Sequence, residues 1–153
     1  MSRARIIMAA AAAALAGFSC ATGPEKPEAV TPHPFRAADE SRGRAVAEAF
    51  AEGFVAAVKR DDFSAWQPVL PDRDKSRITP EIFARMRAEL TDLCGELESG
   101  AYFGVLCSGD LRDHLWKLRF IRDGRVREVL FLVRVFRREG GEPEISGFGV
   151  KRF

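Results

Sequence analysis

The 153-residue sequence predicts an α+β domain in which two amphipathic helices, with a short helical turn between them, pack on a curved four-stranded antiparallel meander. Three observations predict it. Apolar residues recur at helical spacing from Val46 to Val58 and again from Ile82 to Leu97. Four runs rich in β-branched and aromatic residues follow, with no further helical period. Asp123-Gly124 and Gly140-Gly141 then supply two-residue hairpin signals between the last three of those runs.

The chain divides into an export segment, 1–19, a proline-rich tether, 20–38, and one folded domain, 39–153. Arg3 and Arg5 form a basic start, and Ile6 to Phe18 is a stretch of thirteen uncharged, almost wholly apolar residues, the layout of a secretory signal. Thirteen residues are too few to span a bilayer, which takes about twenty. Leu15-Ala16-Gly17-Phe18-Ser19-Cys20 resembles a bacterial lipobox, with Gly17 where the pattern has leucine. That resemblance implies diacylglyceryl attachment at Cys20 and membrane tethering in the cell envelope. Ordinary cleavage after Ala21 is the competing expectation. A cysteine placed directly between an apolar segment and a polar tether favours lipidation.

Pro24, Pro27, Pro32 and Pro34 stand among polar residues and give the tether its extended character. A helix then starts near Asp39 or Ser41, with Val46, Phe50, Phe54, Ala57 and Val58 as its apolar stripe. Phe63 to Val69 forms the short helical turn, with Trp66 as a core residue and Pro68 and Pro71 as stops. Asp72 to Arg77 reads as a polar loop. Thr79 caps the second helix, Pro80 takes its first position, and Ile82, Phe83, Met86, Leu90, Leu93 and Leu97 form its stripe up to Gly100.

The strands are expected at Ala101–Cys107, Asp113–Arg122, Arg125–Arg138 and Glu144–Phe153. The two turns set a register in which Trp116 faces Phe131, Leu118 faces Val129, His114 faces Val133, Phe131 faces Val150 and Val133 faces Phe148. The face so formed is the one the helices cover. Its opposite pairs Asp113 with Arg134 and Arg119 with Glu128, and also carries Leu115, Leu130, Leu132, Phe136 and Ile145. That much apolar surface predicts an association face, such as a homodimer contact.

Charge excludes one class of partner. The 24 basic residues fall to 22 once Arg3 and Arg5 are removed, matching the 22 acidic ones, which argues against a general nucleic-acid binder. Residues 111–153 nevertheless hold 11 basic and 6 acidic side chains, against 11 and 16 in residues 20–110. The expectation is a basic sheet neutralised by acidic helices beside it.

The element order is similar to that of the nuclear-transport-factor-2-like superfamily, which includes ketosteroid isomerase. The matching features are Val46-x-x-x-Phe50-x-x-x-Phe54-x-x-x-Val58, the Asp62-Phe63 break with Trp66, the second helix, and Ile145-Ser146-Gly147-Phe148-Gly149-Val150. The resemblance implies a cone that holds a small ligand, and in the enzymes an acid–base pair inside it. No motif here transfers such a pair.

His114 is the one acid or base that the register puts on the inner face, and a lone histidine there is most often a satisfied core or pocket-mouth residue. Pocket candidates are His114, Trp116, Phe131, Val133, Phe148 and Tyr102, the last with its facing open. Cys94 and Cys107 are the candidate disulfide in an exported domain. Spacing predicts neither a metal site nor a cofactor. The leading expectation is a non-catalytic domain that binds a small ligand or a protein. The alternatives are an isomerase- or hydrolase-like enzyme using His114, and a structural envelope component associating through the outer face. A pocket joining His114 to Tyr102 or a carboxylate favours the enzyme, whereas an interior filled by Trp116, Phe131 and Phe148 opposes it.

Overall fold

A computed structural model describes residues 37–137 and 141–151. The export segment, Cys20 and the tether as far as residue 36 lie outside the described residues, as do Gly140 and the end of the expected fourth strand at 152–153. The architecture is α+β. Helix α1 (Ala37–Arg60) is followed by 3-10 turns at Phe63–Ala65 and Gln67–Val69, the one-turn α2 (Asp72–Lys75) and α3 (Pro80–Cys94). Strands β1 (Glu96–Ser108), β2 (Leu111–Arg122), β3 (Arg125–Arg137) and β4 (Pro143–Lys151) then form one curved antiparallel sheet in chain order.

Helix α1 buries Ala47, Phe50, Ala51, Phe54, Ala57 and Val58, positions that recur along one face of a 3.6-residue period. Val46, expected in that stripe, is 37% exposed, and the smaller Ala47 takes the sheet-facing position instead. The helix also begins at Ala37, so Asp39 lies within its first turn rather than capping it. Asp39 is buried and receives Arg137 Nη1 at 2.9 Å, while Glu40 receives Arg112 Nε at 2.8 Å. Acidic residues at the start of α1 therefore neutralise arginines of β2 and β3, as the charge distribution predicted, and they complement the positive end of the helix dipole.

Asp62 accepts a hydrogen bond from Ser64 N and turns the chain after α1. The following 3-10 turns drive Trp66 into the core, where it is wholly buried among Phe50, Phe54 and Phe148, with ring centroids 5.2, 5.0 and 5.3 Å away. Helix α3 begins as predicted, with Thr79 Oγ1 accepting from Ile82 N at 3.4 Å and Pro80 at its first position.

The end of α3 corrects the sequence expectation. Gly95, not Gly100, stops the helix, adopting φ 99° while its N–H reaches Thr91 O at 2.8 Å. A Cβ at Gly95 would lie 2.2 Å from Ile121 O, so glycine is required twice over. Arg122 and Arg127 from the adjoining hairpin donate to the last α3 carbonyls, Asp92 O and Leu93 O. Leu97 consequently belongs to β1, which starts five positions before the expected Ala101. Gly100 has a different task. A Cβ there would sit 2.9 Å from Leu118 Cδ2 and 3.0 Å from Val55 Cγ2, so its bare backbone lets α1 approach the sheet.

The Asp123-Gly124 turn has φ values of 51° and 69°, the paired positive angles of a type I′ hairpin. The β2–β3 register follows from it at every predicted pair. Between β3 and β4, Phe131 faces Val150 and Val133 faces Phe148 as expected. A register shift between Arg134 and Val135 then brings Ile145 opposite Val135 rather than Phe136. Ile145 is thus moved from the predicted outer face into the core, where it is 6% exposed. Two further shifts interrupt β1, between Leu97 and Ser99 and between Tyr102 and Gly104.

Candidate functional site

The inner sheet face is filled. Phe54 stacks on Phe131 at 4.5 Å with planes 9° apart, and Phe148 closes on Phe50 at 5.1 Å. Phe131 and Val133 are wholly buried, and Trp116 is nearly so. Three predicted pocket residues, Phe131, Val133 and His114, are therefore core residues that line none of the described grooves.

His114 is 2% exposed and lies opposite Val105 and Val133. Burial, which disfavours the charged ring, holds its pKa below the ordinary histidine value, and Arg44 and Arg112 act in the same direction against Glu40 and Glu48. Its Nδ1 is 3.4 Å from the Tyr102 hydroxyl, and its Nε2 has no hydrogen-bond partner among the described residues. The bulge between Tyr102 and Gly104 settles which way Tyr102 faces, a question that spacing left open, because the turn alone would set it opposite Lys117 on the outer face. Gly109 at φ 55° makes a two-residue connection between Ser108 and Leu111, and the following register places Tyr102 opposite Trp116 on the inner face. The Tyr102 ring meets Trp116 edge-on at 5.3 Å, and the Arg44 guanidinium lies 4.5 Å over it. Burial raises the pKa of the Tyr102 hydroxyl, with Arg44 opposing. Tyr102 and His114 do meet, with the Arg44 guanidinium over the Tyr102 ring, but His114 itself lines none of the described grooves.

Tyr102 and Trp116 instead form one end of an open groove of about 550 Å³ between α1 and β1. Val55, Ala51 and Gly100 supply its apolar floor, and Glu48, Glu52, Lys59 and Arg60 its charged rim. Lys59 Nζ donates to Glu98 O at 3.0 Å, tying the helix to the first β1 bulge. Beside the groove runs β1 itself, an edge strand with Phe103 62% and Leu106 60% exposed.

The predicted ion pairs divide. Arg134 grips Asp113 with both nitrogens, at 2.6 and 2.8 Å, and this bonding holds the Asp113 carboxyl below its usual range. Arg119 and Glu128 are opposite each other in the ladder, yet Arg119 binds Glu98 at 2.8 Å and Glu128 takes Lys117 at 3.3 Å. The bulge beside Glu98 brings that carboxylate to Arg119, and Lys117 reaches Glu128 diagonally. The candidate disulfide is absent: Cys94 is a buried free thiol just before β1, and Cys107 is an exposed one near the strand's far end, roughly 40 Å of extended chain away. No cluster of three or more metal-ligating side chains occurs among the described residues.

Arg112 is the inner-face residue that sequence reasoning missed. It is 8% exposed, donating to Glu40, Gly109 O and Leu111 O at 2.8, 2.7 and 3.0 Å, so it joins α1 to the β1–β2 turn. Its alternation with His114 and Trp116 was the available signal.

Comparison with protein-family models, curated proteins and solved structures finds no match for the chain.

Proposed function

We propose that the chain is an exported, lipid-anchored cell-envelope protein whose folded domain, of the nuclear-transport-factor-2-like kind, binds a partner without catalysing a reaction. The observation that carries the non-catalytic reading is the packed interior. The Phe50–Phe54–Phe131–Phe148 cluster packs the space between α1 and the sheet, and His114 lies against Tyr102 with no described groove touching it. A general acid or base needs contact with the proton it moves. Export and lipidation rest on the signal-like segment and Cys20.

The binding surface in this reading is the β1 edge with the α1–β1 groove. An exposed edge offers unpaired backbone donors and acceptors, and Val55, Tyr102 and Trp116 offer apolar seats for alternate side chains of an added strand. That chemistry suits an extended apolar segment of a protein. Amide-resolved NMR titration with extended apolar peptides tests it. Shifts clustered on residues 51–59 and 100–106 are expected, whereas shifts centred on His114 with turnover of a small molecule would move the reading to an enzyme. Mass spectrometry of the mature N-terminus tests the anchor: a diacylglyceryl-modified Cys20 is expected, and an unmodified Thr22 start would refute it.

A second reading, self-association through the outer sheet face, is favoured by one observation. Leu106 on β1 is exposed beside Leu115 and Leu132, which face each other in the ladder. Sedimentation equilibrium should then show a dimer that Leu132→Lys dissolves; a monomer at millimolar concentration would end this reading.

A further inference from the structure

The rim of the α1–β1 groove has a direction. Helix α1 runs antiparallel to β1: the Arg44 guanidinium lies over the Tyr102 ring, Val55 lies against Gly100, and Lys59 Nζ reaches Glu98 O. The rim therefore carries Glu48 and Glu52 towards the Tyr102 end and Lys59 and Arg60 at the Glu98 end. Neighbours offset part of this charge. Arg44 Nε holds Glu48 at 2.8 Å, which leaves Glu52 as the net charge of the first end. At the second end the Asp62 carboxylate, held chiefly by Ser64, also feels Arg60, while Arg87 takes Asp61 at 3.4 Å and Arg119 takes Glu98 at 2.8 Å. Lys59 uses one of its three N–H donors on the neutral Glu98 carbonyl, so its charge meets no carboxylate at ion-pair distance among the described residues. The groove thus has a negative end and a positive end, with Ala51 and Val55 between them.

We propose, on the reading that the β1 edge takes an added strand, that this strand is an extended segment of another protein in which two apolar residues, each followed by a polar one, lead to a glutamate or aspartate. Antiparallel addition is the more stable pairing, and a strand antiparallel to β1 runs parallel to α1, so its C-terminal end arrives at Lys59 and Arg60. From Glu48 to Arg60 the helix covers about 18 Å, the reach of about five extended residues. Side chains alternate, so the first, third and fifth face the groove. The first two seat on Trp116, Tyr102 and Val55, and the fifth places its carboxylate beside Lys59. Charge complementarity then fixes both the direction and the register of the added strand.

Amide-resolved NMR titration with end-blocked pentapeptides tests the proposal. The probe is valine-threonine-valine-threonine-glutamate, compared with peptides that end in glutamine or lysine and with the probe sequence reversed. Shifts on residues 51–59 and 100–106 are expected. The probe should bind about threefold to fivefold more tightly than the glutamine and reversed peptides, the range of a part-exposed ion pair. About 1 M salt should erase that difference. Lys59→Met should bring the probe down to the affinity of the glutamine peptide. Arg60→Glu, which breaks no ion pair or hydrogen bond described for the fold, should do the same and make the lysine peptide the tightest binder. Arg125→Glu, on the distant β2–β3 hairpin, should leave the order of affinities unchanged. Circular dichroism confirms the fold of each variant. Equal affinities for the probe, glutamine and reversed peptides, with shifts still on that surface, would overturn the proposal and leave the β1-edge reading standing. No shifts with any peptide, including a β1 edge that sedimentation shows to be taken by a second copy, would overturn both.

Discussion

Asp113 and Arg134 illustrate how a single pair sits in this sheet. They face each other across β2 and β3 on the side away from the helices, with two short hydrogen bonds and the Arg134 side chain 44% exposed. Exposure limits such a pair to about 0.2–1 kcal/mol. Arg134 depresses the Asp113 pKa below 3.8, so the folded state binds its proton less readily than the unfolded chain. The pair's contribution is therefore complete above that value and is lost as pH falls through the lower folded pKa. A double-mutant cycle with Asp113→Asn and Arg134→Gln in urea should give a coupling of that size at pH 7 that declines as the pH is taken progressively below 3.8. Pairs of this kind were legible in the sequence because the Asp123-Gly124 turn sets the ladder. The partners of Arg119 were not, because they depend on a bulge in a neighbouring strand that no residue type announces.

At the scale of elements, two glycines decide where α3 stops and β1 begins. Gly95→Ala forces a side chain into Ile121 O from a positive φ and should cost more than about 1 kcal/mol in chemical denaturation, beyond the conformational term alone. Gly100→Val should weaken the chain by about 1–3 kcal/mol through overpacking against Val55 and Leu118. Unchanged stability in both variants would contradict this junction. The boundary was hidden in the sequence because Leu90, Leu93 and Leu97 continue a helical spacing across Gly95, so the apolar period alone runs to Gly100. β2 and β3 were readable nearly to the residue because turn chemistry and alternation agree there. The inward position of Tyr102 was not, since the bulge before Gly104 changes which residues of β1 face inward.

For the whole molecule, helix α1 is the piece that closes the sheet. Its aromatic residues pack on β3 and β4, and its first turn takes the charge of Arg112 and Arg137. Phe54→Ala removes the ring stacked on Phe131 and should cost about 3–5 kcal/mol with an unchanged dependence on denaturant, provided the core unfolds as one unit. The α+β architecture and the inner face were legible because helix period, strand alternation and turn residues point to the same arrangement. Whether that inner face is hollow or full was not, since it depends on how closely α1 approaches, which Gly100 and Ala47 govern. A full interior leaves His114 a buried ring whose pKa burial holds below the ordinary histidine value, as the proposed non-catalytic reading requires. The most direct measurement is the NMR titration of the His114 imidazole, with His33→Gln removing the only other histidine signal. The ring should stay neutral as pH falls below 6.5 in the folded protein and remain unmoved by small molecules; a ring that titrates at or above 6.5, or shifts on ligand addition, would contradict the sealed interior.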